Sequence, residues 1–291
     1  MEYYAVSDIG RCRNENQDTF GSIGEGGFFF AIVCDGMGGA AAGKQAAELA
    51  CATAIETVSQ MLGDTHKGAA PRLLTAYESK RILREALERA NQAVYSESKT
   101  EADKHGMGTT VAAVLFYYGH AYTMHVGDSR IYLMRGGALS RLTEDHSVVQ
   151  MMVDTGEITE EEARIHPSRN MITRAVGVGE QVSADYGTVK LQSGDIFLLC
   201  SDGLTGMVGD SYIENVLLAP KALSVKTNAL ISAALDEGGE DNVTVFLAEC
   251  GEDDVSSVWE ALTDVRTEDI TVAYAFDDEE EEIKSGREDF E

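Results

Sequence analysis

No apolar run in this chain reaches the roughly 18 to 20 residues that span a bilayer. The opening residues, MEYYAV, lack a basic stretch followed by an apolar one, so nothing there reads as a secretory leader. Together these absences exclude a membrane-embedded class and give a cytoplasmic protein as the expectation. Cysteine pairing is missing too. The five cysteines, at positions 12, 34, 51, 200 and 250, are odd in number, widely spaced and free of any C-x-x-C. That argues against a disulfide framework or a zinc site and for buried thiols. Basic charge is also scarce: 23 Lys and Arg stand against 50 Asp and Glu, a net charge of −27. Nucleic acid and anionic membrane both select clustered basic groups, so neither is expected as a partner. No C-x5-R loop occurs and no Ser/His/Asp set stands at recognisable spacing, so the sequence offers no covalent nucleophile.

What is present fits a folded α+β domain. The 291 residues suffice for one large domain or two ordinary ones, and 44% apolar with 25% charged residues is ordinary for a globular chain. Short apolar runs rich in β-branched and aromatic residues predict strands at 27–34, 110–118, 121–126, 130–135, 196–200 and 242–249. Helical spacing predicts helices at 40–62, 78–97 and 222–235. Strands and helices do not alternate as β-α-β units, which points to antiparallel sheets covered by helices. No internal repeat is visible. Residues 1–250 form the folded unit of this reading, and 251–291 an acidic tail. From 252 onward the tail holds sixteen acidic residues against three basic ones, including the run 277–282. Its last dozen residues are expected to be disordered, while 255–276, with Trp259, Leu262 and Tyr274, could dock back or bind a partner.

The chemistry lies in the aspartates. Asp35 and Asp202 each end an apolar strand and lead into glycine, Asp128 sits between two strands, and Asp241 directly precedes one. Asp8 and Asp18 flank the first turn. For any single Asp-Gly, a turn is the plain explanation. Several carboxylates at strand ends are harder to dismiss, because they would repel one another and a cation is the simplest relief. No His or Cys sits at these junctions, and oxygen-only ligation suits Mg²⁺ or Mn²⁺. The segment 154–159 looks faintly like a calcium loop, but Gly156 and Ile158 stand where carboxylates or amides are needed. Glycines after Asp35 let the backbone approach a metal or phosphate, and Gly36 could offer its carbonyl.

An ordered set of motifs then resembles one family. SDIGRCRNENQD (7–18), VCDGMGG (33–39), GTT (108–110), VGDSR (126–130), LTEDHS (142–147), GEITEEEA (156–163), HP (166–167), RNMITRA (169–175), CSDGL (200–204) and DNVT (241–244) follow the order found in the metal-dependent protein phosphatases of the protein phosphatase 2C type, in their bacterial form. The resemblance implies an αββα fold: a two-sheet antiparallel β-sandwich flanked by helices on both faces. It implies a Ser/Thr protein phosphatase that uses Mn²⁺ or Mg²⁺, two per site and a third in some members, to activate a bridging water. Asp35 would bridge both metals and the Gly36 carbonyl would hold one. Asp202 and Asp241 would hold the other, and Asp128 with Asp202 the third. Asp18 would orient water, and Arg13 would clamp the phosphate. The implied substrates are phosphorylated Ser/Thr proteins, with a cognate Ser/Thr kinase acting in opposition, and the protein is expected to be a monomer. The competing expectation is a phosphatase-like binding module without activity. One departure is Met37, where many eukaryotic relatives carry His, so the resemblance names no general acid. His146 and His166 fall in the segment 146–176, which resembles the family's mobile flap. For both, a structural hydrogen bond is expected ahead of catalysis.

Overall fold

Residues 28–34 read Phe-Phe-Phe-Ala-Ile-Val-Cys, apolar without alternation, which suits a strand covered on both faces. The computed structural model, which describes residues 1–25, 27–65 and 74–255, shows this burial. In β3 (Phe28–Met37), Phe28, Phe30 and Ile32 pack under helices, while Phe29, Ala31 and Val33 face the opposite sheet. The side-chain period of two thus feeds two separate cores from one strand.

One sheet takes β3 with β2 (Asp18–Glu25), β5 (Val111–Tyr117), β6 (His120–Val126) and β9 (Asp185–Lys190) in the order β2-β3-β5-β6-β9, and the short β4 (Gly108–Thr109) pairs with β3. The other joins β1 (Glu2–Asp8), β7 (Arg130–Arg135), β8 (Ala138–Arg141), β10 (Ile196–Cys200) and β11 (Val243–Glu249) in the order β1-β11-β10-β7-β8. Every pairing of these strands is antiparallel. Helices α1 (Ala40–Thr65) and α2 (Ala76–Glu97) cover the first sheet, and α6 (Asp210–Leu218) and α7 (Leu223–Asp236) the second. Between the sheets lie Phe29, Phe116, Phe197 and Phe246, with Phe116 and Phe197 edge to face at 5.0 Å. The architecture is the αββα sandwich expected above.

The six predicted strands and three predicted helices are all present, with ends unchanged or moved by up to three residues. Two ends run on by three residues: α1 continues to Thr65, and β3 continues through Asp35 and Gly36 to Met37 because Gly36 and Met37 pair with β4. Polar edge strands β1, β2, β8 and β9 carried too weak a pattern to be anticipated. So did the short helices α3 (Val148–Asp154), α4 (Glu160–Ile165) and α5 (Asp202–Thr205). The cysteine expectation needs one correction. Cys34, Cys51, Cys200 and Cys250 are buried free thiols, but Cys12 is exposed, because it lies in the surface loop between β1 and β2. Helix α8 (Glu252–Val255) closes the described chain, with Asp254 accepting from the Met1 ammonium at 2.8 Å. The expectations for the rest of the tail lie outside the described residues.

Register fixes where the strand ends fall. Asp18 stands opposite Asp35, Val33 opposite Ala112, and Val111 opposite Val126. In the second sheet Cys200 stands opposite both Val245 and Arg130. The end of β3, the β6–β7 turn, the end of β10 and the start of β11 therefore lie at one end of the sandwich. The aromatic layer holds the sheets in that relation. Truncating fully buried Phe197 to Ala is expected to cost about 3–5 kcal/mol, read as a lower urea midpoint with an unchanged m-value.

Candidate metal centre

A cleft of about 540 Å³ opens at this end, lined by Arg13, Asp35, Gly36, Asp128, Asp202 and Asp241 among others. Six of the seven residues expected at the site thus meet in one place. The seventh, Asp18, lies directly behind. Its Oδ2 accepts from Ser201 Oγ at 2.6 Å and Thr244 Oγ1 at 2.7 Å, and its Oδ1 is buried without a partner.

Each carboxylate is placed by its own local chemistry. The Asp35 backbone is clamped by the Gly-Thr-Thr segment: its N–H donates to Thr110 Oγ1, and its carbonyl accepts from Thr110 N and Thr109 Oγ1, all within 3.0 Å. Gly36 packs so closely on the first turn of α1 that a Cβ would overlap the Gly43 carbonyl. Asp202 opens α5 as β10 ends, and a Cβ on Gly203 would overlap the Asn242 carbonyl. That close approach brings Asp202 beside Asp241. Asn242 ties down the first loop, donating to the carbonyls of Ile9 and Glu15 and accepting from Gln17 N. Asp128 follows Gly127, which has a φ of +104°. Next to it, Ser129 Oγ shares a 2.6 Å hydrogen bond with Thr110 Oγ1.

Charge is concentrated where water is scarce. Burial pushes the Asp18 carboxyl up to about 7 and that of Asp202 up to about 6, with neighbouring carboxylates adding to both. Asp35 and Asp128 are held well above the ordinary carboxylate range, again by burial first, and then by repulsion from Asp18 and Asp202 respectively. The basic group nearest the aspartates is Arg13, whose Nη2 donates to Asp241 Oδ2 at 2.5 Å. Asp202 Oδ1, like Asp18 Oδ1, is buried with no hydrogen-bond partner. Orphaned oxygens, mutual repulsion and an all-oxygen donor set fit hard divalent cations. Among the described residues no three His, Cys, Asp or Glu side chains close around one point as placed. Water, with the Gly36 carbonyl at one ion, would complete the shells, which suits ions that keep several waters.

Sequence reasoning overlooked the supporting groups. Asn242, Ser201, Thr244 and Thr110 sit within the motifs, yet their type alone gave no role. Nor did it show that Arg130 grips Asp145 with two nitrogens at 2.6–3.1 Å beside Asp128. Both flap histidines are occupied locally. His146 Nδ1 accepts from Gly127 N at 3.1 Å and its Nε2 faces Asp185 Oδ2 at 3.2 Å, while His166 Nδ1 accepts from Ser168 N. Neither lines the cleft.

Comparison with known proteins agrees with this geometry. The family described as Protein phosphatase 2C matches residues 12–246. A serine/threonine phosphatase stp of Listeria welshimeri is 40% identical over 250 residues, covering 84% of this chain and 93% of that protein. The crystal structure of the Mycobacterium tuberculosis serine/threonine phosphatase PstP/Ppp superposes with a TM-score of 0.74 at 36% identity, covering 86% of this chain and 99% of that one. A solved catalytic domain of PstP in complex with two manganese ions has a TM-score of 0.71 at 36% identity and covers 86% of this chain and 98% of that one.

Three outcomes follow for the cation. Carboxyls with raised pKa hold protons that a cation must displace, so Mn²⁺ affinity should rise from pH 5.5 to 7.5. The same groups favour the metal-free fold at low pH and lose that contribution as pH rises toward 7. The gain in Tm on adding Mn²⁺ should therefore be larger at pH 7.5 than at 5.5. Gly203→Ala should weaken Mn²⁺ binding in calorimetry by forcing Asp202 away from Asp241.

Proposed function

We propose a division of labour in this cleft from one premise: the chain belongs to the protein phosphatase 2C family and is a metal-dependent protein-serine/threonine phosphatase of the bacterial type. Its substrates are phosphoproteins and its cofactors Mn²⁺ or Mg²⁺. When bound, such ions activate a water for attack and neutralise the phosphoryl oxygens. Asp35, the Gly36 carbonyl, Asp202 and Asp241 would hold the two ions, with Asp35 serving both, and Asp128 with Asp202 would hold a third more weakly. This assignment rests on the gathering of buried, mutually repelling carboxylates in one cleft.

The protein's own groups then position the reaction. Asp18 orients water through its buried and unpartnered Oδ1, while Ser201 and Thr244 hold Oδ2. Arg13 releases Asp241 and presents its planar fork to the phosphate, a small rearrangement for a half-exposed side chain. Met37 has no proton to give, so the leaving alkoxide takes its proton from water. The segment 146–176 shapes the approach to the cleft, with Asn170 and Ile172 on its wall.

The phosphatase domain comprises residues 1–250, followed by an acidic tail at 251–291. The enzyme works as a cytoplasmic monomer opposite a Ser/Thr kinase, and binds neither nucleic acid nor membrane. Among the described residues no helix is long and apolar enough to cross a membrane. An inactive binding module is disfavoured by the complete aspartate set.

Replacing Asp35 or Asp202 with Asn should lower Mn²⁺-dependent hydrolysis of p-nitrophenyl phosphate about a thousandfold, since the ligands sustain several kcal/mol of transition-state stabilisation. Activity surviving Asp202→Ala would remove that residue from the assignment. Arg13→Ala should act mainly through KM, raising it about tenfold.

A further inference from the structure

A second cavity, of about 330 Å³, shares Asp128, Asn170 and Asp202 with the proposed catalytic cleft and therefore adjoins it. Its wall carries Arg130, Arg141, Arg164 and Arg169. Four of the chain's 23 basic residues thus surround one hollow in a strongly acidic protein.

The four are not equivalent. Arg130 is committed to Asp145, and Arg169 donates to Glu240 at 3.0 Å. Arg141 donates to the neutral Gln150 at 3.1 Å and reaches Asp145, already held by Arg130, only at 4.0 Å. Arg164, exposed on α4, makes no hydrogen bond or ion pair among the described residues. Its guanidinium lies against Gly209, with Nη1 3.5 Å from where a Cβ would sit. Gly209 precedes α6, a nine-residue helix that no side chain caps, and Gly209, Asp210 and Ser211 line the same hollow. The positive end of that helix adds to the field of the arginines. Five acids share this wall: Asp145 is held by Arg130, Asp210 accepts from the Tyr132 hydroxyl at 3.1 Å, Glu160 lies in the first turn of α4, and Asp128 and Asp202 belong to the proposed metal centre, which leaves Arg141 and Arg164 as the arginines without a close carboxylate of their own.

We propose that this hollow is a second anion subsite, which receives a carboxylate or a second phosphate carried by the substrate polypeptide near the phosphoresidue being hydrolysed. Arg141 and Arg164 supply its charge. An extended peptide advances about 3.3 Å per residue, so a hollow that adjoins the cleft takes a side chain within a few residues of the target. The subsite selects substrates and does no chemistry. It rests on the reading of Asp128 and Asp202 as the catalytic end.

The test compares phosphothreonine peptides that differ only in carrying Glu or Gln at the flanking positions. The readout is the ratio of kcat/KM for the acidic over the neutral peptide, in which any general loss of activity cancels. Wild type should favour the acidic peptide about tenfold, as one or two charge-assisted hydrogen bonds would give. The double variant Arg141→Ala/Arg164→Ala should bring the ratio close to one. Arg164→Glu alters a single exposed side chain, so folding is not at issue, and should shift preference toward a peptide with Lys at those positions. A peptide with a non-hydrolysable phosphonate analogue of phosphoserine in place of Glu tells the two anions apart: a larger ratio assigns phosphate, and an equal or smaller one a carboxylate. A wild-type ratio near one, or a ratio unchanged in both variants, overturns the subsite. Failure of the metal assignment would show separately, as Mn²⁺-dependent turnover of the neutral peptide that survives Asp202→Ala.

Discussion

Carboxylates removed from water and set beside one another resist ionisation, and at the end of this sandwich Asp18, Asp35, Asp128 and Asp202 are all in that condition. Left alone, such a cluster opposes folding, because each charge has lost its solvation and gained a repulsive neighbour. A divalent cation reverses the sign of both effects. On the proposed assignment the aspartates are costly in the metal-free protein and favourable in the loaded one, which accounts for a placement that structural pairing does not explain.

The rest of the fold serves to impose that proximity. Antiparallel register sets Asp18 opposite Asp35 and brings the ends of β10 and β11 together. Glycine at 36 and 203 allows backbone approaches that any Cβ would block. Ser201, Thr244 and Asn242 hold the intervening segments with hydrogen bonds that leave Asp18 Oδ1 free. His146 links the Gly127–Asp128 turn to Asp185 on β9, so the start of the flap is fixed to the catalytic end of the sandwich. Arg13 is the adaptable element, half-exposed and paired with Asp241.

Much of this could be read from the residues. Apolar runs such as 28–34 and 196–200 announced buried strands, and the aspartates stood at their ends. Ordered motifs identified the sandwich and the expected ligands. What could not be read depends on contacts distant in sequence. β1 and β9 are edge strands with mixed polarity, so their pattern gives little signal even though each pairs across most of its length. The helices α3, α4 and α5 are too short for a helical period to show. Gly203 looked like a turn residue, whereas its neighbour is the Asn242 carbonyl, 39 positions on. The partnerless state of Arg164 likewise appears only once α4 is folded against the start of α6.

The central claim is that Asp35, Asp202 and Asp241 hold the catalytic ions. Anomalous diffraction at the manganese edge from crystals soaked in Mn²⁺ tests it most directly. The account predicts two strong peaks that both touch Asp35, one of them also touching Asp202 and Asp241, with Arg13 turned away from Asp241. Peaks elsewhere in the molecule, or an Asp35 that contacts neither ion, would contradict it.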